Sequence, residues 1–395
     1  MTPRLAICTT IGSFGFLLAG CADSAAQEED SDETPSVERD TGFVTEDGIV
    51  YPGADWPKAD PESVGMDSKM LEKALETAKD NDSHCLLVTR GGRIITEWYD
   101  ETWDEDTEGN LYSVTKSLTS LVVGRAVQEG LLDIDEPAQE FIPAWAEDGR
   151  RDITIRHLLS MTSGLSWTLI TDFVELSNRS DMTLYATELS QDHEPGSYWQ
   201  YSNAGVQALD AVLSRVFEEP VIDWAETALF GPIGAGATFS LDPEDNTILF
   251  SEARASCRDL ARIGYLVLRN GKWGSDQLID AAYLDAATTS SSTLNEAYGH
   301  LFWLNTDGHW IATPSAISER EEGDGSMWPA APEHIIMAKG LQAQLMVVDK
   351  ENDLVFSRIG GDPNPVTAVM SGKDWTMEAF TNELLEHIFG ALNTP

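Results

Sequence analysis

Leu111-Tyr112-Ser113-Val114-Thr115-Lys116-Ser117-Leu118 sets a serine three residues ahead of a lysine at the head of an apolar helical run. Positions i and i+3 of a helix share a face, so one turn brings the Ser113 hydroxyl and the Lys116 amine within proton-transfer range. A serine hydroxyl is a weak nucleophile at neutral pH, and a lysine serves as its base only where burial or neighbouring cations depress its pKa. The residues that follow supply the burial. Val114, Leu118, Leu121 and Val122 recur at helical spacing, Val123 and Val127 widen the apolar surface, and Gly130 reads as the stop. The stretch therefore predicts a central helix buried nearly all round. Ser-x-x-Lys alone is a weak pattern, more often a solvated helix start than a catalytic pair, so its meaning rests on what accompanies it.

Upstream, residues 1–20 carry one early cation, Arg4, and an uncharged, mostly apolar run from Leu5 to Leu18, too short to span a bilayer as a mature helix. This reads as an export signal. Its end, Leu17-Leu18-Ala19-Gly20-Cys21, resembles the lipobox of bacterial lipoproteins, which implies acylation of Cys21, a lipid anchor and a place in the cell envelope. Ala22 rather than aspartate follows, which leans the expectation toward the outer membrane. Residues 21–48 are rich in Ala, Ser, Thr, Glu and Asp, a composition unable to repay the entropy of ordering, and are expected to be an acidic tether. The folded remainder keeps most of the chain's formal charge of −42. Such a charge disfavours nucleic acid and anionic membrane surfaces as partners.

Once Cys8 leaves with the signal and Cys21 takes lipid, Cys85 and Cys257 remain. A disulfide is open to them in an oxidising compartment, although two buried thiols are the favoured reading. The seven histidines are scattered and show no metal-ligand spacing, so neither a metal nor a cofactor is expected.

The domain from residue 49 to 395 opens with an amphipathic helix, Ser68 to Lys79. Strands follow at Cys85 to Val88 and Ile94 to Trp98 around the hairpin signal Arg90-Gly91-Gly92-Arg93. Helical patterns and Pro/Gly turns dominate from Ser117 to about Ala287. Strands return at Gln344 to Val348 and Leu354 to Ile359, and a last helix runs from Thr376 to Leu392. Strands at both ends with helices between them predict an α+β fold. One antiparallel sheet is built from the terminal segments, about 49–116 and 290–395, with a mostly helical lobe of about 117–289 inserted and a cleft between them.

Further along, Pro195-Gly196-Ser197-Tyr198-Trp199-Gln200-Tyr201-Ser202-Asn203 places Tyr-x-Asn before another helical run. With Ser113 and Lys116, and with the segments Ile153 to Trp167, Leu229 to Gly234 and Ser256 to Gly264, the chain resembles the serine β-lactamase and penicillin-binding protein superfamily. The likeness covers about residues 56 to 392 and lies nearer to the class C and esterase-like branch, with its 6-aminohexanoate-oligomer hydrolases and carboxylesterases. It implies a β-lactamase-like fold. It also implies Ser113 as the acylated nucleophile, Lys116 as its base and Tyr201 as the group that relays a proton to the leaving group. Asn203 would hold Lys116 or a substrate carbonyl, or cap the following helix.

Ala338-Lys339-Gly340-Leu341-Gln342-Ala343-Gln344 resembles the third motif in its esterase-like form, Ala-x-Gly-x-x-Gly-Gln, with Ala343 in place of the second glycine. In that register Gly340 lets substrate approach the backbone, and the amides of Leu341 and Ser113 form the oxyanion hole. Ala338 stands where β-lactamases carry a carboxylate-gripping lysine, and Lys339 faces the other way unless the register slips by one. Trp167, Tyr198, Trp199, Trp310 and Trp328 are candidates for an aromatic pocket wall. There is no Gly-x-Ser-x-Gly, Walker-type loop or dinucleotide fingerprint. The expected function is a cofactor-free serine hydrolase acting on a small ester or unstrained amide. The alternatives are a D-amino-acid peptidase or weak β-lactamase on cell-wall material, and a surface lipoprotein that binds without turnover.

Overall fold

Apolar runs from the two ends of the chain pair with each other to form the sheet. The computed structural model describes residues 42–45, 48–314, 320–361 and 377–392, so the expected signal segment, Cys21 and most of the acidic tether lie outside the described residues. Helix α1 (Ser68–Asp80) is followed by strands β1 (Ser83–Arg90) and β2 (Arg93–Tyr99). Gly91 and Gly92 adopt φ +59° and +72°, the two left-handed positions that a two-residue hairpin turn matching strand twist requires. Helix α2 (Val114–Gln128) comes next, then α3 (Asn203–Phe217) and α4 (Cys257–Leu268). Strands β3 (Trp303–Leu304), β4 (Ile336–Gly340), β5 (Gln344–Asp349) and β6 (Leu354–Gly360) complete a six-stranded antiparallel sheet of order β2-β1-β6-β5-β4-β3, and helix α5 (Met377–Gly390) follows.

The centre of the sheet joins β1 to β6, with Phe356 opposite Val88 and Ser357 opposite Leu87. Every residue of β4, β5 and β6 is buried, as strands covered on both faces must be. Pairing sets the faces. Ala338 lies opposite Met346, and Met346 opposite Ser357, so these three share one face. Helix α4 packs on that face at Gly264, where a β-carbon would meet the Val355 and Met346 side chains at 2.6 and 3.1 Å. The other face carries α1 and α5, which are joined by the Thr77–Glu383 hydrogen bond of 3.0 Å. Arg358, on that face, stacks over Phe380 of α5 at 5.0 Å.

The boundary expected near residue 289 therefore falls earlier, because α4 belongs to the sheet layer and not to the helices before it. The favoured reading of two free thiols is also corrected: Cys85 of β1 and Cys257 of α4 form a disulfide that ties helix to sheet. The strand pair Gly308–Ile311 and Glu322–Gly325 and the short β3 carried too little alternation to be recognised in the sequence. Among the described residues no helix is long and apolar enough to cross a membrane.

Helix α2 runs through the middle, with twelve of its fifteen residues buried. It buries hydroxyls as well as aliphatics, and each finds a partner. Ser117 donates to the Leu301 carbonyl (2.6 Å), Thr119 to that of Leu249 (2.8 Å), and Thr115 accepts the Ala253 amide (3.0 Å). An unpaired buried hydroxyl costs about 1–3 kcal/mol, so these bonds fix the loops around 249–253 and 301 against the helix. Gly130, at φ +69°, ends it in a Schellman pattern, the amides of Gly130 and Leu131 bonding to the carbonyls of Val127 and Ala126.

Candidate active site

Ser113 sits at the start of α2, half-buried, and follows Tyr112, which is held at φ +45°. A bulky residue in the left-handed region is strained by about 1–3 kcal/mol and is a frequent companion of functional sites. One turn on, Lys116 is 1% exposed. Its Nζ donates to Ser113 Oγ at 3.1 Å and to the Phe250 carbonyl at 2.7 Å. Burial pulls its pKa down to about 7, with the Asp172 carboxylate opposing the shift. A substantial share of neutral amine is thus present at neutral pH, in contact with the hydroxyl it would deprotonate.

Tyr201 arrives from the loop before α3. Its ring lies 4.9 Å from Lys116 Nζ and stacks near-parallel on Trp303 at 6.0 Å. Burial raises the pKa of its phenol, while the bond to the Ser113 hydroxyl works in the other direction. A phenol so raised stays protonated at neutral pH, which suits a proton donor. The three side chains that the sequence reading placed together therefore do converge.

Ala338, Lys339 and Gly340 end β4 beyond its pairing with β3, which takes only Ile336 and Met337, so this end of the strand is an open edge beside Ser113. At Gly340 a β-carbon would collide with the Leu111 carbonyl oxygen and crowd the amides of Ser113 and Val114 at 3.2 Å. Only glycine lets the strand edge and the nucleophile's backbone approach this closely. The next turn is strained, with Gln342 at φ +62° and Ala343 at +55°. The family-type glycine replaced by Ala343 thus corresponds to a left-handed position. Leu341, between Gly340 and Gln342, is 60% exposed.

Two assignments change, and the register does not slip, so Lys339 faces away from the cleft as the strand period predicts. It lies on the α5 face, bonded to Glu378 at 3.0 Å and set over Trp328 at 5.5 Å, because alternation along β4 turns it away from Ala338 and Gly340. Asn203 does not cap α3, since Ser202 does so by accepting the Gly205 amide. The Asn203 amide group donates to the Asp172 main-chain oxygen at 3.3 Å. Of the proposed aromatic wall, Trp199 and Trp328 are core residues at 1% and 0% exposure, and Trp310 lies across the hairpin under Gly323. Trp167 and Tyr198 line a cavity of about 300 Å³ with Gln200, Ser202 and Arg320, a lining that does not include Ser113, Lys116 or Tyr201. His193 stacks on Tyr198 at 4.2 Å and Arg320 bonds its hydroxyl at 3.2 Å.

The sequence reading missed Asp172, a buried carboxylate at the start of α3, and the Phe250 carbonyl that holds Lys116. Neither carries a motif: one is a lone aspartate in Ile170-Thr171-Asp172-Phe173, the other a main-chain group. Among the described residues no set of His, Cys, Asp or Glu is grouped to hold a metal.

A family model described as Beta-lactamase matches residues 71–359. The 6-aminohexanoate-dimer hydrolase of Paenarthrobacter ureafaciens is 23% identical over 318 residues, 75% of this chain and 76% of that protein. The esterase EstB of Burkholderia gladioli is 34% identical over 210 residues, covering 44% of this chain and about half, 53%, of the esterase. The crystal structure of a family VIII carboxylesterase superposes with a TM-score of 0.60 at 16% identity, over 85% of this chain and 99% of that one.

Proposed function

Since the chain belongs to the Beta-lactamase family and is a serine hydrolase, we propose that it cleaves carboxylic esters or unstrained amides through an acyl-enzyme on Ser113. The observation that carries this reading is the 3.1 Å contact from Lys116 to Ser113, made by an amine whose burial brings its pKa to about 7. Lys116 takes the Ser113 proton as Oγ attacks the acyl carbon. The oxyanion is met at the edge of β4 by the amides of Ser113 and Leu341. Tyr201 then passes a proton to the departing alkoxide or amine, and the same groups activate water to release the acyl chain.

Ester or unstrained amide is favoured over a penicillin-type lactam by the fate of Lys339. With Ala338 at the gripping position and Lys339 engaged by Glu378 on the opposite face, no lysine of this strand reaches toward a substrate carboxylate at Ser113. The relatives named above as esterase and dimer hydrolase support the same substrate class.

A fluorophosphonate probe should label the wild type and not Ser113→Ala, and short-chain nitrophenyl esters should be turned over well ahead of nitrocefin. Absence of labelling would leave a binding protein, and preferential nitrocefin hydrolysis would make it a lactamase. We also infer, from the lipobox-like end of the first twenty residues, that the chain is anchored in the cell envelope by lipid on Cys21. Cys21→Ser should then move from the membrane to the soluble fraction, and its retention on membranes would rule out this anchor.

A further inference from the structure

The six-residue π-helical turn Ile170–Glu175 exposes Ile170 and Val174 at 62% and 54%, yet it buries Asp172 to 2%. An acidic side chain that far from water must be matched by donors. Its Oδ2 accepts the Asn203 amide at 2.8 Å, and its Oδ1 accepts the Ala204 amide at 2.9 Å and the Ser202 hydroxyl at 3.2 Å. One carboxylate thus grips residues 202, 203 and 204, the three that follow Tyr201, at the amino-terminal end of the fifteen-residue helix α3. A wide π turn is a recurrent way to aim one side chain off the ordinary helical path, and it is frequent at functional sites.

We propose that Asp172 is a positioning residue for the hydrolytic site: it fixes Tyr201 beside Ser113 and supplies the buried counter-charge for the ammonium that Lys116 becomes on taking the serine proton. The inference rests on the acyl-enzyme reading above. In the attacking step the proton leaves Ser113 Oγ for Lys116 Nζ, the Oγ electron pair forms the bond to the acyl carbon, and Asp172 neither gains nor loses a proton. Lys116 is buried, and its hydrogen-bond partners, Ser113 Oγ and the Phe250 carbonyl, are uncharged, so the new cation lacks a counter-charge at hydrogen-bond range. The Asp172 charge acts on both Lys116 and Tyr201 across the same buried space. Burial works against the ionised carboxylate. Its three contacts, however, are two amide donors and a hydroxyl, a set that favours the anion over an acid needing an acceptor of its own. The titratable groups gathered here are Lys116, Tyr201, Asp172 and Tyr298, whose phenol is pushed well above its usual range by burial and stays neutral.

The test is the pH dependence of kcat/KM and of fluorophosphonate labelling for Asp172→Asn, which keeps the shape and removes the charge. Without the anion the Lys116 ammonium is less favoured, so the rising limb that follows formation of the neutral amine should move about one unit toward lower pH. In the same variant kcat should fall about 10- to 100-fold with KM changed less than about threefold. A folded variant whose limb stays in place would overturn the proposal and leave Asp172 a helix cap. Should that variant not fold, Asp172→Glu decides: it keeps the charge and displaces the grip on 202–204, so the limb should hold while kcat drops at least fivefold, and an unchanged kcat would overturn it. A wild type that never labels would sink the acyl-enzyme reading and this inference together, whereas a labelled wild type with an immobile limb in Asp172→Asn sinks the inference alone.

Discussion

Gly340 passes so close to the Leu111 carbonyl that the edge of β4 and the backbone before the nucleophile leave no room for a β-carbon between them. Gly340→Ala must therefore push strand and helix apart, since the obstruction is main chain on both sides. Overpacking of this kind costs about 1–3 kcal/mol, and an ångström of misplacement at a reacting centre costs about 10² in rate. The variant should melt several degrees lower and lose about 10² or more in kcat/KM for a nitrophenyl ester. Wild-type kinetics in Gly340→Ala would show that this edge does not face the reaction.

Lys116 gives the pH dependence. Its folded pKa stands at about 7 against the usual 10.5, and the neutral amine is the base, so kcat/KM should climb as pH rises through about 7 and flatten above it. Lys116→Ala should lower acylation about 10²- to 10⁴-fold and abolish that limb. A variant that acylates at near-normal rate would make this lysine a structural residue.

Arg358 is fully buried and holds the left-handed turn after Gly340 from beneath, donating to the carbonyls of Gln342, Ala343 (3.1 Å) and Asn81 (3.0 Å) and to the Ser83 hydroxyl (2.8 Å). Arg358→Met keeps some volume but strands three carbonyls. Each buried orphan costs about 1–3 kcal/mol, so a loss of about 3–5 kcal/mol is expected by denaturant titration, together with a lower kcat. Unchanged stability would mean that water takes over these carbonyls.

The Cys85–Cys257 bridge spans 172 residues. A loop of that length restricts the unfolded chain enough to contribute about 3–5 kcal/mol, so dithiothreitol should lower the melting temperature by several degrees. The double variant Cys85→Ala with Cys257→Ala should melt at the same reduced temperature and not respond to the reductant. If oxidised and reduced protein melt together, the bridge adds nothing to stability.

Local chemistry was legible in the sequence and long-range packing was not. Ser113 and Lys116 stand one helical turn apart, so helix geometry alone joins them; Gly91-Gly92 spells its own turn; and the alternation that sends Lys339 away from Ala338 follows from strand period. Tyr201 needed the resemblance, because no local rule relates it to a serine 88 residues earlier. Asp172 stayed hidden because its partners are main-chain amides of another segment. The pairing of Cys85 with Cys257 depended on α4 lying against the sheet, and the helix's own periodicity shows only that it is amphipathic. Trp199 and Trp328 misled in the opposite sense, since an aromatic near a motif looks the same in one dimension whether it faces a ligand or a core.

The pairing of Ser83–Arg90 with Leu354–Gly360 also sets a timetable. A strand made early in translation waits for one made near the end, and until then Ser113 lacks the edge of β4 beside it. The catalyst should thus be switched on late and all at once, with nascent chains inert and any truncation before residue 360 dead. Such distant closure also slows folding and lengthens exposure of unpaired strands. Assistance during maturation, from a chaperone or a thiol oxidant, should matter more to yield than to the activity of the finished molecule.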